Sequence, residues 1–78
     1  MKPENVNKLK QIFVEVFSIS ESEVESYRKL NNGKWDSLAT VTLIAAIESE
    51  FGIIIQEVDY ESFSSFASIE YVLETMNL

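Results

Sequence analysis

The stretch "GKWDSLATVTLIAAIESEFG", residues 33–52, carries apolar side chains on two sides of a helical register. At 100° per residue, Leu43, Ile47 and Phe51 fall at i, i+4 and i+8, with Thr40 and Ile44 alongside, and this stripe predicts a face turned to a core. Ser37, Val41, Ala45 and Glu48 recur every three or four residues on another side, with Leu38 close by. That second strip has two readings. Leu38 and Val41 pack under a neighbouring loop, or the strip is a docking surface for another protein.

The ends of this helix are also written in its residues. Asp36 is a good N-cap, able to accept from the free backbone N–H groups of the turn that begins at Ser37, and Gly52 suits a left-handed C-terminal cap. A serine in a first helical turn is most often there for capping. With Asp36 in that role, the Ser37 hydroxyl is left at the positive end of the helix dipole, where a negatively charged phosphate ester is favoured.

Working outward, Val6, Leu9, Ile12, Phe13, Val16 and Phe17 follow the spacing of a helix with one buried face, predicted over Glu4 to Phe17, with Pro3 at a permitted start. Residues 18–34, "SISESEVESYRKLNNGK", form a long loop ending in the turn signal Asn31-Asn32-Gly33. Inside it, Ser20 and Glu23 match a capping box, which predicts a short helical turn pinning Val24 and Tyr27 to the core. Ile53 to Val58 reads as an apolar crossing rather than a strand, since no partner strand is offered. Asp59 is the expected cap of a short helix, "YESFSSF". Ser68 is the expected cap of a last helix carrying Ile69, Val72, Leu73 and Met76. The predicted fold is all-α: a small four-helix bundle of three longer helices and one short one, with a long loop between helices one and two.

Composition limits the chemistry. The chain of 78 residues has no Cys and no His, so a disulfide framework, a thiolate metal site and the usual nucleophile–base pairs are excluded. Only Asp36 and Asp59 supply aspartate, so a calcium loop cannot be built and no metal site is expected. No apolar run approaches the roughly 18–20 residues of a membrane span. A soluble, cytoplasmic monomer is the expectation. Glu48 and Glu50 lie two apart and point in different directions, so they do not make a catalytic carboxylate pair.

Charge is segregated. All six basic residues lie in the first 34 positions with five acids, whereas residues 35–78 contain eight acids and no base, for a net charge of −7. Such a surface repels nucleic acid and anionic membranes and steers toward basic partner proteins.

In "WDSLATVTLIAAIESEFGI" the triplet Asp36-Ser37-Leu38 opens the second helix, and the segment resembles the acyl carrier protein family, whose hallmark is that triplet in a four-helix bundle. The likeness covers essentially the whole chain, because the remaining predicted elements occur in the family's order. It implies a single carrier domain over residues 1–78 that is not an enzyme. It also implies phosphopantetheine, taken from coenzyme A by a phosphopantetheinyl transferase, attached to Ser37 and carrying acyl groups as thioesters. Implied partners are an acyl-activating enzyme and an acyltransferase or synthase with basic docking patches, meeting Asp36, Leu38, Val41, Ala45 and Glu48, with Glu50 as a further contributor. The chain departs from familiar fatty-acid carriers at Ala39, Thr42 and Ser49, where those have acids, at Trp35, where a small residue is usual, and at Gly33. These departures imply a specialised pathway. An aminoacyl or peptidyl carrier, and an unmodified acidic interaction module of the same fold, are the alternatives.

Overall fold

The structure is a computed structural model, and it describes residues 1–30 and 32–78; of the predicted Asn31-Asn32-Gly33 turn, Asn31 lies outside the described residues. Three α-helices are present, α1 (Pro3–Phe17), α2 (Ser37–Phe51) and α3 (Phe66–Glu74), with 3₁₀ segments at Glu21–Ser26 and Glu57–Ser62. No strand occurs among the described residues. The all-α bundle is as predicted, and the short helical turn in the long loop is one of the two 3₁₀ segments.

α1 begins with Pro at its first turn and buries Leu9, Ile12, Phe13 and Phe17. It lies against α2, which contributes Thr40, Leu43, Ile44 and Ile47, the predicted inner stripe; Phe51, at its end, is half-buried. α3 closes the core with Phe66, Ile69, Val72 and Leu73. The first 3₁₀ segment packs on both α1 and α3 through Val24, which is fully buried. Its entry is fixed by Glu23, whose carboxylate accepts from the Ser20 N–H at 3.2 Å and the Ser20 hydroxyl at 2.8 Å.

Beyond that segment the loop is stitched to the start of α3. Arg28 and Ser65 form an isolated antiparallel bridge, and the Lys29 N–H donates to the Ser64 carbonyl at 2.9 Å. A long connection therefore acts as a wall of the bundle.

Gly52 ends α2 at φ 64°, the left-handed conformation predicted for it, and its N–H returns to the Glu48 carbonyl. Two predicted caps are corrected. The second 3₁₀ segment starts after Gln56, so Asp59 lies inside it and caps nothing, and the segment ends at Ser62 without reaching Phe66. α3 is capped by Ser65, whose side chain accepts from the Ser68 N–H at 3.1 Å. Ser68 sits in the first turn and its hydroxyl donates back to the Ser62 carbonyl. In a Ser-rich run any of several hydroxyls can cap, and the winner is the one that lets Phe66 enter the core.

Candidate functional site

Asn32 builds the approach to α2. Its side chain accepts from the Lys34 N–H at 3.0 Å and its carbonyl accepts from the Trp35 N–H at 3.1 Å, a tight turn that drives Trp35 inward. Trp35 is only 2% exposed. Its ring meets Phe13 edge-on at 5.5 Å, Phe17 at 4.9 Å and Tyr27 in a near-parallel stack at 6.0 Å. Aromatic pairs of this kind contribute about 0.5–1.5 kcal/mol each beyond the area they bury.

With Trp35 anchored, the chain leaves the core at Asp36 and turns into the helix. The Asp36 backbone is extended, its carboxylate accepts from the Ala39 N–H at 2.8 Å, and its carbonyl accepts from the Thr40 N–H at 3.0 Å. Asp36 is the cap, as predicted, and Ser37 is not. Ser37 is exposed, and among the described residues its hydroxyl and the N–H groups of Ser37 and Leu38 have no protein partner. An exposed hydroxyl beside two open donors at the positive end of a helix suits a phosphate diester in charge and hydrogen bonding. The residues present therefore fit a phosphopantetheine group.

The second strip of α2 is uncovered. Leu38 is 74% exposed and Val41 61%, so the long loop does not roof them. Ala45 and Asp36 are exposed as well. Glu48, at the far end, is half-buried, and its Oε2 accepts from the Ile55 N–H at 2.8 Å. It holds the crossing that follows α2 as well as standing on the strip. Glu50 lies off the strip, lining a surface groove against α1 with Asn7, Lys8, Gln11 and Glu15.

Two neighbours of the site make a contact that the sequence did not reveal. Trp35 and Thr40 stand five apart, immediately before the cap and at the fourth helical position, which is the spacing of a hydrophobic staple. Here the pair is also polar, because the indole N–H donates to the Thr40 hydroxyl at 3.1 Å. Among the described residues no group of Asp and Glu could hold a metal ion, and no helix is long and apolar enough to cross a membrane.

A family model described as the phosphopantetheine attachment site matches residues 7–71. An acyl carrier protein from Cyanidium caldarium is 34% identical over 79 residues, spanning 97% of this chain and 91% of that protein. One from Thermotoga maritima is 34% identical over 74 residues, spanning 94% of this chain and 91% of that protein. No solved structure matches the chain significantly. With the match running through nearly the whole bundle, the chain belongs to the acyl carrier protein family, and its prosthetic group is a covalently attached phosphopantetheine.

Proposed function

We propose that Ser37 is the attachment point and that residues 1–78 act as one carrier domain for a specialised pathway. The observation that carries this reading is the state of the α2 N-terminus. Asp36 performs the capping, so the exposed Ser37 hydroxyl is bound to nothing in the described protein and stands beside two unpaired N–H groups. When bound, the phosphopantetheine supplies a thiol on a long flexible arm, which holds an acyl group as a thioester. Asp36 keeps the first turn closed, and the open N–H groups of Ser37 and Leu38 would hold the negative charge of the linkage. Charges at a helix end contribute about 0.3–1 kcal/mol each when exposed.

Docking of a phosphopantetheinyl transferase, an acyl-activating enzyme and an acyltransferase or synthase falls to Asp36, Leu38, Val41, Ala45 and Glu48. The exposure of Leu38 and Val41 side by side on one strip supports this, because it leaves their apolar surface free to meet a partner. Acids without bases over residues 35–78 select partners with basic patches. Ala39, Thr42 and Ser49 leave the helix less acidic than it would be with carboxylates there, which favours a dedicated set of enzymes over general ones.

Incubation with coenzyme A and a broad-specificity transferase tests the attachment by intact mass. The expected result is a single phosphopantetheine increment that Ser37→Ala abolishes; an unchanged mass, or an increment that survives Ser37→Ala, overturns it. For docking, Leu38→Ala and Val41→Ala are expected to raise the transferase KM several-fold while shifting stability by about 0.5 kcal/mol or less.

A further inference from the structure

We infer that Trp35, acting through Thr40, is the positioning residue for the Ser37 hydroxyl, an inference that rests on Ser37 being the attachment point. The first turn of a helix is its weakest part, because its N–H groups lack intrahelical acceptors and it opens locally at little cost. A nucleophilic hydroxyl on a frayed turn would sample many orientations, and transfer needs the reacting atoms held close to one geometry.

In this chain the turn is tied to the core by a continuous run of hydrogen bonds. The Trp35 ring is immobilised among Phe13, Phe17 and Tyr27, and its single polar atom, the indole nitrogen, donates to the Thr40 hydroxyl at 3.1 Å. That hydroxyl donates in turn to the Asp36 carbonyl at 3.1 Å, the same oxygen that accepts the Thr40 N–H at 3.0 Å. The peptide unit leading directly into Ser37 is thus held by both donors of Thr40, and the Thr40 hydroxyl is oriented by the indole.

A threonine that merely bonds back to the carbonyl four residues earlier is common and needs no partner. Thr42 does this, bonding to the Leu38 carbonyl at 3.0 Å from an exposed position. Thr40 differs because its hydroxyl is buried and both accepts and donates. Capping does not account for the arrangement either, since the Asp36 carboxylate already serves the Ala39 N–H. What the relay adds is a fixed direction for the backbone on which Ser37 stands.

The test uses the full chain and four variants. Thr40→Val keeps the shape and removes the hydroxyl, Thr40→Ser keeps the hydroxyl, Trp35→Phe keeps an aromatic ring without the donor, and Ser37→Ala reports on the underlying assignment. Phosphopantetheine transfer from coenzyme A is followed by intact mass at several acceptor concentrations. Amide hydrogen exchange is measured in parallel across the whole chain. Thr40→Val and Trp35→Phe are expected to lower kcat about tenfold with little change in KM. They are also expected to speed exchange selectively at Ala39 and Thr40, the two bonded amides of the first turn, and Thr40→Ser is expected to restore both. Wild-type kcat and exchange in Thr40→Val would overturn the inference, as would faster exchange throughout α1 and α3 in proportion to any loss. Transfer that persists in Ser37→Ala would remove the attachment assignment instead, and the exchange data would still show whether the relay holds the turn.

Discussion

The carboxylate of Glu48 accepts from the backbone N–H of Ile55 at 2.8 Å, bridging the reversal at Gly52 that ends α2. Ile55 is buried, so its N–H has little access to water as a substitute. Glu48→Ala leaves that donor orphaned and is expected to cost about 1–3 kcal/mol, read as a lower urea midpoint. Glu48→Gln retains an acceptor and should keep most of the stability. It loses only a charge, so any effect of Gln on partner affinity isolates the docking contribution from the structural one.

Tyr27 offers an opposite case. Its ring packs on Phe17 at 4.8 Å and stacks on Trp35, yet among the described residues its buried hydroxyl has no hydrogen-bond partner. An unpaired buried hydroxyl is a standing cost. Tyr27→Phe preserves the ring contacts and removes that cost, so a gain of about 1 kcal/mol is expected. In a domain of this size such a gain corresponds to a rise of about 4–8 °C in Tm by calorimetry. An unchanged or lower Tm would show that the hydroxyl is satisfied in solution.

Glu23 gives the first 3₁₀ segment a dependence on pH. Hydrogen bonds from the Ser20 side chain, and secondarily from the Ser20 backbone N–H, hold its carboxyl below its ordinary value of 4.5. Because the folded value is the lower one, the unfolded chain binds more protons between the two. The contribution is therefore fully present above 4.5 and is lost as pH falls through the folded value. The difference in urea midpoint between wild type and Glu23→Gln should be level at neutral pH and shrink on acidification below that point. A difference that stays constant into strong acid would sink this expectation.

What could be read from the sequence was whatever local chemistry alone decides. Asp36 and Gly52 bound α2 because only certain residues satisfy helix ends, and the inner stripe of Thr40, Leu43, Ile44 and Ile47 follows from a 3.6-residue period. Ser20 and Glu23 announced a turn by the same logic. The cap of α3 was not decidable, since Ser62, Ser64, Ser65 and Ser68 all carry the same hydroxyl and the choice depends on where Phe66 enters the core. Nor was the bond of Glu48, because Ile55 comes beside it only after the chain has reversed. Trp35 was legible as unusual and not as buried. A residue just outside a helix has no periodicity to place it, and its seat among Phe13, Phe17 and Tyr27 is assembled from α1 and the long loop, two separate parts of the chain.

The site residues divide in the same way. The exposed strip of Ser37, Leu38, Val41 and Ala45 appeared in the spacing, but spacing could not tell a roofed face from an open one. Only the path of the long loop, pinned to α3 by the Arg28 bridge to Ser65, leaves Leu38 and Val41 in solvent.

Trp35 is the chain's one indole, shut away from water two positions before Ser37. The domain thus contains its own optical probe at the place that matters. Excited at the red edge of its absorption, it reports without contribution from the three tyrosines. Emission from a dry, rigid ring lies to the blue, and any event that wets or loosens its seat moves the spectrum to longer wavelengths. Any such loosening can be timed by that colour, with no dye and no added label.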